Sequence, residues 1–175
     1  MRGLFILWFV LSGLYLSAQT NEYVCQPCGR ACDTEVHLQP GTCAHCNMKL
    51  VLKSSVQFVN LTTDEFCDRI SENPNAILLD VRTRAEFEGR SLRDSYGHFN
   101  KAININIDDL EKRLSELSNY KEREILVYCS HSVRSPRAAM LLTTNGFKNV
   151  KNLEGGVSTL HATTPCLKKN FTVHN

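Results

Sequence analysis

Four apolar residues, Ile125 to Tyr128, run straight into the polar loop Cys129-Ser130-His131-Ser132-Val133-Arg134 and then into a helix-like stretch closed by Asn145-Gly146. A run that short and that apolar reads as a strand buried on both faces, and a strand–loop–helix junction of this kind admits few folds. Ala76 to Val81 repeats the pattern and ends in the charged cluster Asp80, Arg82, Arg84 and Glu86. Leu110, Leu114 and Leu117 mark one face of a helix between the two strands. Further upstream, Thr62 and Glu65 have the spacing of a capping box, with Leu61 and Phe66 placed as a hydrophobic staple, so a helix starts there. Cys67, beside Phe66 and Ile70, reads as a small core residue. Strands alternating with amphipathic helices predict an α/β fold, a parallel sheet flanked by helices.

Chemistry is expected where the second strand ends. In open α/β sheets ligands bind at the carboxyl ends of strands, and helix amino termini attract anions. A cysteine there is expected to be a thiolate at neutral pH, with Ser130 and Ser132 adding hydroxyl donors and the Arg134 guanidinium within reach of a bound anion. The alternative is a structural cysteine, but a polar, Arg-ended loop is an unusual way to fill a core. Loop length separates two chemistries. Five residues between Cys and Arg encircle a phosphate, whereas the four here, Ser130, His131, Ser132 and Val133, make a tighter cradle suited to one sulfur atom carried as a persulfide.

This C-x4-R loop resembles that of the rhodanese family of sulfurtransferases. So do LLDVRTRAEFEGR at 78–90, GHFNKAININI at 97–107, YCSHSVRSPRAA at 128–139 and GFKNVKNLEGGVSTL at 146–160, in the family's order and over a full single domain. The resemblance implies a rhodanese-like fold and a two-step transfer. Cys129 would take sulfane sulfur from a small anionic donor such as thiosulfate and pass it to a thiophilic acceptor, with no organic cofactor. Cys129 and Arg134 would be catalytic, Ser130 to Val133 the active-site loop, and Asp80 and Arg82 would pair with the loop or its Arg to hold its shape. Glu86 reads as a helix-surface or loop-bracing residue. Ser132 stands where the family has Gly, which leaves the loop backbone less free to turn its N–H groups inward. Leu160 replaces a closing Trp, and SLRDSY at 91–96 is an insertion.

Five of the eight cysteines fall between Cys25 and Cys46. Cys25-x-x-Cys28 and Cys43-x-x-Cys46, separated by 14 residues, are each placed to donate two thiolates to one tetrahedral ion, zinc or another soft metal. Pro40 and Gly41 form a turn before the second pair, and Asn47 follows it where a left-handed residue is needed. Cys32, His37, His45 and Met48 lie close by, so Cu(I) also suits the ligand types. The competing reading is a disulfide-stapled knot, although five thiols do not all pair within the segment. The stretch YVCQPCGRACDTEVHLQPGTCAHCNMKLV resembles the short heavy-metal-binding, zinc-ribbon-like modules of envelope proteins, with Asn47 in place of the usual Gly.

The first residues place Arg2 before an apolar run, Leu4 to Leu16, followed by Ser17 and Ala18. This predicts a signal peptide over 1–18 and an extracytoplasmic location, secreted or periplasmic; an uncleaved amino-terminal anchor is the alternative. The expected organisation is then a Cys-rich module at 19–52, the main domain at 53–163 and a tail at 164–175 containing Cys166 and His174. Twenty basic residues against 18 acidic ones give a net charge of +2, too little for a nucleic-acid or anionic-membrane surface. The function expected is an exported sulfurtransferase with a metal-binding module. The alternatives are a non-catalytic metal-binding or thiol-docking protein, and a thiol-oxidising or thiol-phosphatase enzyme using the same cysteine.

Overall fold

A computed structural model describes residues 21–28, 30–93, 96–161, 163–164 and 166–174. The expected signal peptide, residues 1–18, lies outside the described residues. At the amino-terminal end, β1 (Tyr23–Cys25), β2 (Val36–His37) and β3 (Leu50–Leu52) form a small antiparallel sheet in the order β2-β1-β3. Its core is largely sulfur, with Cys25, Cys32 and Cys43 buried beside Leu50 and Met48 packed against them. The turn after Cys43 is closed by Asn47 N–H to the Cys43 carbonyl at 2.9 Å, and Asn47 takes the expected left-handed conformation at φ 58°.

From residue 59 strands and helices alternate: β4 (Val59–Leu61), α1 (Thr63–Glu72), β5 (Ile77–Asp80), α2 (Arg84–Phe87), β6 (His98–Phe99), β7 (Ile103–Asn104), α3 (Ile107–Arg113), β8 (Glu124–Tyr128), α4 (Arg134–Thr144) and β9 (Asn149–Leu153). Five of these strands form one parallel sheet in the order β4-β9-β8-β5-β7. The expected α/β architecture is therefore present. β8 sits at its centre because every one of its residues is apolar enough, or paired enough, to be buried. Its one acid, Glu124, is held by Arg69, Asn73 and Lys151 at 2.9–3.0 Å.

Side chains alternate across the sheet and so feed two cores. Ile125, Val127 and Cys129 pack with Leu79, Leu110, Ala138 and Leu142 on one side; Leu126 and Tyr128 pack with Leu61, Phe66, Phe99 and Leu153 on the other. The predicted capping box at α1 forms, with Thr62 N–H donating to Glu65 Oε2 at 2.8 Å and Glu65 N–H to Thr62 Oγ1 at 3.4 Å. Leu61 and Phe66 are buried together as the staple requires. The helix marked by Leu110, Leu114 and Leu117 tightens after α3 into a 3-10 helix, Leu114–Tyr120.

The expected tail is corrected. Leu167–Asn170 forms a short helix, α5, and Phe171–Thr172 forms β10, which pairs antiparallel with β6. Cys166 is disulfide-bonded to Cys67 in α1, so Cys67 is a core residue and a cross-link at once. The physical reason is burial: Phe171 packs edge-on against Phe99 at 5.0 Å, and this strap adds Cys166 and Phe171 to the core around Phe66 and Leu126. Among the described residues no helix is long and apolar enough to cross a membrane.

Candidate active site and cysteine cluster

Cys129 follows β8 directly and keeps the strand's alternation, so its side chain shares the core of Ile125 and Val127 while its backbone begins the loop. It is 1% exposed, and Ser135 Oγ donates to its sulfur at 3.3 Å. The carbonyls of Cys129 and Ser130 accept from the N–H groups of Val157 and Ser158, each at 2.9 Å, which ties the start of the loop to the turn after β9. Gly156 makes this approach possible: at φ +70° a Cβ would lie 2.5 Å from both carbonyl oxygens. Gly156→Ala is therefore expected to destabilise the fold by about 2 kcal/mol or more and to displace the loop. Thermal unfolding with a thiol-accessibility assay on Cys129 checks this.

Ser132, in place of the usual Gly, is held at φ 54°, a left-handed conformation that costs about 1 kcal/mol or more for such a residue. Its hydroxyl accepts from Asn152 Nδ2 at 3.0 Å, and the same amide group donates to Asn60 Oδ1 at 2.8 Å. No side chain caps the 11-residue α4 at Val133, so its first-turn N–H groups remain as donors beside the loop. His131 is exposed, and its Nε2 lies 3.3 Å from the hydroxyl of Tyr96, which comes from the insertion.

Two ion pairs brace the site, and they differ from the expected ones. Asp80 and Arg82, both fully buried, pair with each other at 2.6–3.0 Å, and Arg82 Nη2 also donates to the Gly97 carbonyl at 2.9 Å. Rather than reaching the loop or its Arg, they join the end of β5 to the strand entering β6. The loop is braced by Glu86. Its carboxylate accepts from Arg134 Nη1 and Nη2 at 2.7 and 2.6 Å and from Ser130 Oγ at 3.1 Å, while also capping α2 through Thr83.

Burial pushes the Glu86 carboxyl up, but Arg134 and the Thr83 hydrogen bonds outweigh it and hold the group down at about 2. A depressed folded-state value means stability that is present above the ordinary carboxylate range and is lost as pH falls from there through about 2. This contribution is on the order of 2–3 kcal/mol. Glu86→Gln is expected to flatten the acid limb of the stability curve between roughly pH 4.5 and 2, measured by urea unfolding at stepped pH. The sequence left Glu86 between two roles, and the Thr83-x-x-Glu86 capping box was the available signal for its position.

The four cysteines of the two CxxC pairs are not the set the fold brings together. Cys25, Cys43 and Cys46 converge with Cys32, and their sulfurs all lie within 4.8 Å of one another. Cys28 falls into a second group with Cys25, Cys32 and Asp33. The 3-10 turn Ala31–Thr34 turns Cys32 inward, which spacing alone did not reveal. Burial raises Cys25 well above the usual thiol range and pushes Cys32 up to about 12, while hydrogen bonding from Cys25 lowers Cys46 to about 7. Packed thiols resist joint ionisation, and a cation among them reverses that balance because coordinating thiols ionise. The donor set fits a soft metal ion.

A cleft of about 380 Å³ separates this cluster from the loop; Cys25, Asp33 and Thr34 line one wall, and His131, Ser132 and Gly155 line the other. A larger cavity of about 490 Å³, beside Ile77, Leu126 and Lys169, lies at the opposite end of the strands from Cys129.

A family model described as a rhodanese-like domain matches residues 62–163. The tRNA uridine(34) hydroxylase of Buchnera aphidicola is 28% identical over 127 residues, covering 63% of this chain and 38% of the relative. That of Sodalis glossinidius is 32% identical over 97 residues, covering 53% of this chain and 26% of the relative. The chain thus spans between 26% and 38% of these relatives' length. A crystal structure of a rhodanese-like domain protein from Staphylococcus aureus superposes with a TM-score of 0.51 at 23% identity, covering 67% of this chain and 100% of that one, a likeness of fold.

Proposed function

The chain belongs to the rhodanese-like domain family, and from that premise we propose that it is an exported sulfurtransferase working through a Cys129 persulfide. The observation that carries the reading is the cradle itself: a cysteine closing a central strand, four loop residues, and an arginine locked by Glu86 at the start of α4. The Cys129 thiolate attacks the outer sulfur of thiosulfate. A new S–S bond forms, the old one breaks with its electron pair on departing sulfite, and Cys129 keeps the sulfane sulfur. A thiophilic acceptor then attacks that sulfur and returns the Cys129 thiolate. The N–H groups at the start of α4 and the Ser135 hydroxyl stabilise the anionic sulfur, and Arg134 acts by holding the loop in shape.

The Cys67–Cys166 disulfide favours an oxidising compartment, in agreement with the apolar run from Leu4 to Leu16. The name of these relatives raises tRNA as a rival substrate, against which stands a net charge of only +2. An intact-mass spectrum after anaerobic thiosulfate tests the reading. A gain of one sulfur atom, discharged by cyanide as thiocyanate, is expected. No gain from thiosulfate or a polysulfide overturns it and favours a metal-binding or thiol-docking protein without turnover.

A further inference from the structure

The clustered cysteines make two sets of four donors that share an edge. Cys25, Cys32, Cys43 and Cys46 form the first; Cys25, Cys28, Cys32 and a carboxylate oxygen of Asp33 form the second; within each set every donor atom lies within 4.8 Å of the others. Four donors at tetrahedral reach is the demand of a single zinc-like ion, and a tetrahedron with metal–sulfur bonds of about 2.3 Å has edges of about 3.8 Å. The approaches of Cys25 to Cys46 at 3.1 Å, Cys28 to Cys32 at 3.6 Å and Cys28 Sγ to Asp33 Oδ1 at 3.1 Å are all within that edge. The shared members, Cys25 and Cys32, are buried together with Cys43, whereas Cys28 and Cys46 lie further out.

We infer that the module binds two soft divalent ions in one centre, with Cys25 and Cys32 as bridging thiolates, Cys43 and Cys46 completing the first ion and Cys28 and Asp33 the second. The inference rests on the reading of this segment as a metal site and extends it from one ion to two. Charge supports the count: two divalent ions enter, five thiol protons leave to solvent, and six anionic donors then carry the same double negative excess as four thiolates around one zinc. Both Asp33 oxygens accept from the Cys28 N–H at 3.0 Å, which holds the carboxylate beside the Cys28 sulfur. Because Cys25 and Asp33 line the cleft opposite His131 and Ser132, the second ion belongs on the side of the module nearest the sulfur cradle.

The test is cadmium loading of the anaerobic full-length protein, read by native mass spectrometry and by cadmium-113 NMR. Two cadmium ions per chain are expected, with scalar coupling between them through shared thiolates. Cys28→Ser and Asp33→Ala are each expected to retain one. A single ion in the wild type overturns the two-ion centre while leaving a mononuclear site standing, and two ions persisting in both variants overturns the assignment of Cys28 and Asp33. No bound cadmium overturns the metal reading as a whole. None of these readouts depends on sulfur transfer.

Discussion

Cys129→Ser is expected to take up no cyanide-dischargeable sulfur from thiosulfate, while its fold and its cysteine cluster stay intact. On the proposed mechanism the Cys129 sulfur takes the sulfane sulfur, and the serine hydroxyl is too weak a nucleophile at neutral pH to replace it. Ser135→Ala separates the nucleophile from its support. Losing the 3.3 Å hydrogen bond to the sulfur is expected to slow loading about tenfold, equivalent to about 1.4 kcal/mol, without abolishing it. Rapid-quench mass spectrometry of both variants checks this. Equal loading of Cys129→Ser and wild type would remove Cys129 from the reaction.

The second large effect concerns stability. The Cys67–Cys166 bond joins positions 99 apart in sequence, and a cross-link over about 100 residues removes entropy from the unfolded chain, on a chain-entropy account by as much as about 5 kcal/mol. The Cys67→Ala/Cys166→Ala double variant is expected to lose about 2–4 kcal/mol, the range such removals usually show. Urea unfolding of the two proteins measures the difference. A midpoint unchanged in the variant would mean that α1 and the strap hold together without the bond.

How legible this was in the sequence depended on the range over which each interaction acts. β8, its loop and α4 were readable because an all-apolar strand, a polar loop and a Gly-closed helix follow one another without interruption. The α1 capping box and the left-handed Asn47 were readable for the same reason, since each depends on residues within three or four positions. The disulfide was not readable: Cys67 and Cys166 meet only because α1 and the carboxyl-terminal strap cover the same core. Cys32 was passed over in favour of Cys28 because the two-pair spacing is a stronger pattern than a lone fifth thiol, and only the 3-10 turn brings it inward. Asp80 and Arg82 were assigned to the loop through their charge, but their nearness to each other satisfies both within the end of one strand.

The same disulfide makes a covalent ring of residues 67 to 166, which encloses β5, β7, β8 and β9, the Cys129 loop and α4, and leaves the cysteine cluster outside. A protease cutting once inside the ring produces two pieces that remain linked, so the domain around the Cys129 loop can be nicked without its pieces losing their covalent connection. A single cut between residues 53 and 58 severs the covalent link to the cluster. The two parts of this chain therefore differ in their resistance to proteolysis: the rhodanese-like domain carries its own covalent safeguard, and the cysteine-rich segment is joined to it by one uncrosslinked segment.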